Sequence, residues 1–389
     1  MKRLCQGMRM KILYTIDNPF DSSNPYFREM IYNLQAIDSS IVLDYGIRKF
    51  WSSEAFSYDI IHIQFPHFLL KTGSRTECHT AHELDCRLKL LKSKNIKIVV
   101  TCHNLKPHYK KLTDENESYD IVYRSVDVIY HLGAFSLSFC EKKFPSARHK
   151  LLEHPVYDDL YTFLPARQVA YQTLKLSSSF RYILCLGAFR ADEERALLIK
   201  LLKELNKHSV KVIAPSFFCI KFTKNPFLFF NRIVTFIKYK LLYKDIIFSG
   251  KSVPDELLPY YMSVADIALL QRVKILNSGS LPLNFYFGNV VVGPDVGNVG
   301  EILKKTGNPV FNVENTSTLK TAVDEAFSLY NTGYGEKNRR YALENWRISL
   351  IAQKQYMYYK ELLHLTNINI GRGGVLNLPV QFPYNTEAA

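Results

Sequence analysis

A chain of 389 residues with 47% hydrophobic content is long enough for two packed cores, which excludes a wholly disordered protein. Its net charge of +14 predicts attraction to anions, which nucleic acid, acidic lipid head groups and phosphorylated substrates satisfy alike. The seven cysteines are scattered and form no C-x-x-C pair, so reduced thiols and a cytoplasmic setting are expected, and no run nears the about 18 to 20 apolar residues of a membrane span.

Met1 to Arg9 is basic and has no apolar stretch behind it, so it reads as a ragged leader, with Met8 or Met10 an equally good start. From Met10 the pattern is strand, loop, helix: an apolar run at 11–16, turn residues from Asp17 to Pro25, and helical spacing over 26–35. Similar runs recur at 59–64, 96–101 and 126–131, each followed by a polar loop and a helix-compatible stretch. Short β-branched runs alternating with helices predict parallel strands buried on both faces, here forming a first α/β domain over 10–160. A linker is expected over 157–180, around Pro165 and Ser177-Ser178-Ser179. The rhythm restarts at 182–187 and continues through 211–214, 245–249, 265–270 and 290–293, giving a second domain over 181–345. Helical spacing over 346–366 and an aperiodic, loose tail over 367–389 complete the chain.

Ligands of open parallel sheets bind beyond the carboxyl ends of the strands, which directs attention to four loops. These are Asn18 to Tyr26, His103 to His108, Gly187 to Arg190 with Arg195 one turn further on, and Asn277 to Pro282. His103 is suited to binding a sugar hydroxyl or to acid–base work, although a histidine so placed more often caps the next helix or binds a backbone carbonyl. Arg190 has the fork geometry for a diphosphate, though an arginine beside a helix start often only faces solvent. The Asn277 loop lies between a strand and a helix, where free backbone N–H groups suit a phosphate. No G-x-G-x-x-G follows the first strand and no G-x-x-x-x-G-K-[ST] occurs, which argues against a dinucleotide oxidoreductase and a P-loop NTPase. No H-E-x-x-H motif or cysteine/histidine cluster is evident, so neither a metal nor a resident cofactor is expected.

Five stretches carry a resemblance. They are Asp59-Ile60-Ile61-His62-Ile63-Gln64, Val99-Val100-Thr101-Cys102-His103-Asn104 with Pro107, Val253 to Tyr261 with Ala265-Asp266, Ile275 to Ser280, and Gly293 to Glu301. In order and spacing they resemble the group-1 family of nucleotide-sugar glycosyltransferases with the GT-B fold, over roughly Met10 to Leu365. The resemblance implies two Rossmann-like parallel-sheet domains facing a central cleft, with a C-terminal helix, opened by Trp346, crossing back to the first domain. It places Arg190, Arg195, Asn277, Ser278, Gly279, Ser280, Leu281 and Glu301 on the donor side. His103 becomes the catalytic residue facing the donor sugar, and Asn24 and Tyr26 lie on the acceptor side.

The activity so implied is metal-independent hexosyl transfer from a nucleotide-diphosphate sugar to a hydroxyl of a glycan or lipid-linked acceptor, in bacterial surface polysaccharide biosynthesis. A nucleotide-sugar epimerase on the same fold and a degenerate nucleotide-sugar-binding homologue are the alternatives. Asp192-Glu193-Glu194 follows Arg190, and 273–286 holds no acidic residue.

The segment 221–244 contains Lys221, Lys224, Arg232, Lys238, Lys240 and Lys244, no acidic residue, and interleaved Phe and Tyr. It predicts an amphipathic helix with a basic rim, suited to an anionic membrane surface on the inner face of the cell membrane or to packing on the second domain. The basic residues form no recognisable nucleic-acid module, so no nucleic acid is expected as a partner.

Overall fold

Two series of short strands, separated by helices along the chain, form two six-stranded sheets in which every pairing is parallel. The computed structural model describes residues 9–22, 24–71, 78–107, 114–205, 209–220, 223–251 and 253–368. The first sheet comprises β1 Lys11–Tyr14, β2 Val42–Tyr45, β3 Ile60–Ile63, β4 Lys97–Cys102, β5 Val128–His131 and β6 Arg148–Leu151, in the order β2-β1-β3-β4-β5-β6. The second comprises β7 Arg181–Leu184, β8 Val210–Ile213, β9 Ile246–Ile247, β10 Ile267–Leu269, β11 Val290–Pro294 and β12 Val310–Phe311, in the order β12-β11-β10-β7-β8-β9.

The central strands are largely apolar because helices cover both faces. All four residues of β3 and the last five of β4 are buried, with His62 in register with Val99. β2, β6 and β12 lie at or next to the sheet edges and are not evident in the sequence pattern. β2 and β6 are half-buried along their length, and β12 has only two residues, so none produces an apolar run.

The expected linker is more ordered than its composition implies. Helix Arg167–Leu174 lies within it, and its Arg167 bridges Asp266 at 2.8 Å and donates to Tyr330 Oη at 2.6 Å. Those partners are distant in sequence, so the local pattern of turn residues does not reveal them. Residues 369–389 of the expected tail and 1–8 of the expected leader lie outside the described residues.

The last helix, Ile348–Ile368, does cross back to the first domain. Trp346 precedes it as the cap of helix Tyr334–Asn345, stacked on Phe285 with centroids 5.6 Å apart. The crossing is fixed by buried polar contacts. Gln355 Nε2 donates to Tyr14 Oη at 3.0 Å, the Tyr14 and Tyr359 hydroxyls lie 3.0 Å apart, and Tyr359 Oη hydrogen-bonds His62 Nδ1 at 2.5 Å. Around them Ile348, Ile351 and Leu362 are fully buried, each contributing roughly 1.5 to 3 kcal/mol of apolar burial. His62, the histidine of the first resemblance motif, is thus a core residue whose burial holds it neutral, its pKa well below the ordinary value.

Candidate functional site

The carboxyl ends of both sheets converge on a cleft of about 870 Å³, within the usual size range of a small-molecule site. Residues beyond β1, β3 and β4 supply one wall, including Asn24, Phe65 and His103. Residues beyond β7, β8 and β10 supply the other, including Gly187, Arg190, Ser216 and Arg272. Asn277, Gly279 and Ser280 close the floor between them.

On the second-domain wall, Arg190 is exposed and its backbone N–H donates to Glu194 Oε2 at 2.8 Å, while its guanidinium has no partner among the described residues. Glu194 is therefore a capping residue for the loop. Gly187 permits the turn with φ of 91°, and a Cβ there would lie 3.6 Å from the Arg272 guanidinium. Arg272, which donates to Ala188 O at 3.2 Å, brings a second cation to this wall from the β10 loop. Lys274 on the same loop pairs with Glu193 at 3.0 Å.

On the first-domain wall, His103 stacks on Phe65 with centroids 4.8 Å apart, and Tyr26 meets it edge-on at 5.5 Å. Its Nε2–H donates to Gln64 Oε1 at 2.8 Å, which leaves Nδ1 as an acceptor. Burial, reinforced by neighbouring His154, pushes its pKa down to about 3, so the ring is neutral in the physiological range. His154 donates Nδ1–H to Pro155 O at 3.0 Å and is likewise depressed, to about 4, by burial. Gly279 packs closely beside it, since a Cβ there would stand 3.2 Å from His154 Nε2. Further along the wall, Lys71 bridges Glu115 at 2.7 Å. Glu115 is the one carboxylate among the described residues lining the cleft.

A polar latch joins the walls. Asn277 Nδ2 donates to the carbonyl oxygens of Cys102 at 3.1 Å and His103 at 2.8 Å. Its Oδ1 accepts from Asn298 Nδ2 at 2.6 Å, and Asn298 in turn accepts from Ser136 N at 2.9 Å. Glu301 Oε2 accepts from Ala134 N at 2.9 Å and Phe135 N at 3.2 Å, capping helix Ala134–Lys143 in the other domain. Gly133 has no room for a side chain, because a Cβ would fall 2.5 Å from Asn298.

Among the residues expected to form the site, Asn24, His103, Arg190, Asn277, Gly279 and Ser280 meet at this cleft. Ser278 lies beside it, its hydroxyl 2.8 Å from that of Ser280. The side chains of four others are placed elsewhere. Arg195 is held away by carbonyls, donating to Phe217 O at 3.0 Å and Phe189 O at 3.2 Å, with Asp192 beside it at 3.1 Å. Glu301 serves the latch. Leu281 is only 1% exposed, so its side chain is core. Tyr26 is buried behind His103 rather than presented to the cleft.

Arg272, His154 and Glu115 went unnoticed in the sequence. Arg272 was discoverable from its place just beyond a strand end, whereas the other two give no local signal. The structure also assembles a group that spacing concealed: Cys102, His131 and Cys140, all buried, with donor atoms within 4.8 Å of one another. They come from β4, β5 and helix Ala134–Lys143, so no short motif announces them.

No protein-family model matches the sequence, and no curated protein matches it. Solved structures do match in shape. Sucrose-phosphate synthase from Thermosynechococcus elongatus superposes with a TM-score of 0.70 at 13% identity, over 92% of this chain and 100% of that one. A glycosyltransferase from Rickettsia africae gives 0.62 at 16% identity, over 91% and 99%. HepE from Anabaena, solved in complex with UDP, gives 0.64 at 12% identity, over 91% and 100%. The chain has the GT-B fold. In GT-B terms the cleft described above is the groove between the two Rossmann-like domains, and helix Ile348–Ile368 is the crossover element.

Proposed function

We propose that this GT-B protein is a nucleotide-sugar glycosyltransferase of the group-1 type. It moves a hexosyl group from a nucleotide-diphosphate sugar to a hydroxyl of a glycan or lipid-linked acceptor, in surface polysaccharide synthesis on the cytoplasmic face of a membrane. The observation that carries the reading is the pairing of two guanidinium groups on one wall with a neutral histidine acceptor on the other. HepE, of the same fold, was also solved with UDP-glucose, which supports a donor of this class.

Arg190 and Arg272 face the position of a diphosphate and stabilise the charge that develops on it as the glycosidic bond breaks. With charge neutralised by these side chains, the scheme uses no metal. The neutral His103 accepts a hydrogen bond from a sugar hydroxyl through Nδ1 and fixes the ring's orientation. Ser216, Cys219 and Val253 also line the second-domain side of the cleft and are the residues we assign to the nucleoside. The acceptor enters over the first domain, near Asn24, His67 and the Lys71–Glu115 pair.

A thermal-shift screen of nucleoside diphosphates identifies the base through ligand-linked stabilisation. Turnover of the matching donor with and without an acceptor then separates transfer from epimerisation, because an epimerase converts donor alone. Stabilisation by none of the nucleoside diphosphates would remove the basis for the assignment.

A further inference from the structure

Helix Pro226–Leu242 presents a face of large apolar side chains that none of the described residues covers. None of its residues is buried, and Phe227, Phe230 and Leu241 are 70%, 63% and 66% exposed. With Val234 and Ile237 they recur every three or four residues, which places them on one stripe. Phe236 and Tyr239, on the other side, pack on Phe248 at 5.3 Å and Phe217 at 5.9 Å. The exposed stripe therefore points away from the domain. Lys224, Lys238 and Lys244 stand exposed along and beyond it, and the segment 221–244 carries no acidic residue, although 221 and 222 lie outside the described residues.

Single exposed apolar residues are ordinary on a protein surface, but a continuous stripe with a basic border marks a binding face. Two copies of this helix would bring lysines against lysines, so self-association is opposed by charge. An anionic bilayer satisfies both features: acyl chains take up the aromatic side chains while lysine ammonium groups reach the head-group phosphates. No helix among the described residues is long and apolar enough to cross a membrane, so the contact lies in the plane of the surface.

We infer that helix Pro226–Leu242 is an in-plane docking element for an anionic bilayer, with Phe227, Phe230 and Leu241 inserted and Lys224, Lys238 and Lys244 at the phosphate level. The inference deepens the reading of a membrane-face transferase, and rests on it only for what docking achieves. Ser216 and Cys219, in the loop between β8 and this helix, line the cleft, so docking would hold the cleft at the surface where a lipid-linked acceptor resides.

The test is flotation of the full chain with phosphatidylcholine vesicles and with vesicles containing phosphatidylglycerol. Expected is preferential recovery with the anionic vesicles, and a fall in the partition coefficient of roughly tenfold or more for either triple variant. One variant is F227S/F230S/L241S and the other K224E/K238E/K244E. Because all six side chains are exposed, melting temperatures should stay near that of the parent. Equal recovery with both vesicle types, or unchanged recovery of the apolar triple variant, would overturn the inference. So would a lipid-free dimer in sedimentation velocity that F227S/F230S/L241S abolishes. Loss of turnover in solution, with flotation intact, would instead count against the transferase reading alone.

Discussion

Asn277 of the second domain donates its side-chain amide to the carbonyl oxygen of His103 in the first, at 2.8 Å. A residue expected to bind donor phosphate thus fixes the backbone of the residue proposed to orient the donor sugar. N277A removes donors from two carbonyls at once. We expect turnover to fall about tenfold, or about 1.4 kcal/mol in the barrier, with nucleotide affinity changed less. Steady-state kinetics beside calorimetric nucleotide binding checks this, and an unaltered kcat would separate the latch from catalysis.

Glu301 acts on the same closed arrangement from further out. E301A should leave the Ala134 and Phe135 amides without their carboxylate and cost about 0.5 to 2 kcal/mol of stability. Nucleoside-diphosphate affinity should remain that of the parent. A pronounced loss of affinity, measured by calorimetry, would return Glu301 to the donor site.

The two arginines near position 190 should behave oppositely. R190A, with an uncommitted guanidinium, is expected to weaken nucleoside-diphosphate binding by 10-fold or more, or about 1.4 kcal/mol upward, while leaving nucleoside binding intact. R195A should lower the melting temperature without changing either affinity, because its donors serve Phe189, Ala191 and Phe217 carbonyls. R272A should follow R190A.

Acid should weaken the fold in a defined window. The folded pKa values of His103 and His154 are pushed down to about 3 and about 4, whereas their unfolded rings take up a proton near 6.5. Between those limits the unfolded chain binds more protons, so stability falls as pH falls from about 6.5 toward 4. Each ring contributes at most about 1.4 kcal/mol per pH unit, less any solvent screening. The urea midpoint should therefore drop between pH 7 and pH 5, and a flat midpoint would contradict neutral burial of these rings. Titration of His103 should likewise produce no inflection in kcat between pH 5 and 8.

Much of the architecture was legible because β3, β4, β10 and β11 are buried on both faces and read as apolar runs. β2, β6 and β12 were not, since edge strands need only part of that apolar character. The site divides in the same way. Strand-end position points to the loops of His103, Arg190 and Asn277, and these line one cleft because parallel topology dictates where loops gather. What each side chain does there depends on partners from the other domain. Asn277 meets Cys102 and His103, and Glu301 meets Ala134, at sequence separations no local pattern encodes. Arg195, which the resemblance places on the donor side, donates to the carbonyls of Phe189, Ala191 and Phe217.

The knot of Tyr14, His62, Gln355 and Tyr359 has a consequence for the order in which the chain matures. On the ribosome, β1 and β3 emerge long before the helix that covers them. Until then the Tyr14 hydroxyl and His62 ring remain open to water, and the first sheet lacks its closing layer. The two halves therefore cannot mature as independent beads in sequence: the first waits for a segment made after the second. Cutting the chain between 346 and 348 and supplying the last helix as a separate peptide should turn this delay into a bimolecular step, visible as concentration-dependent refolding.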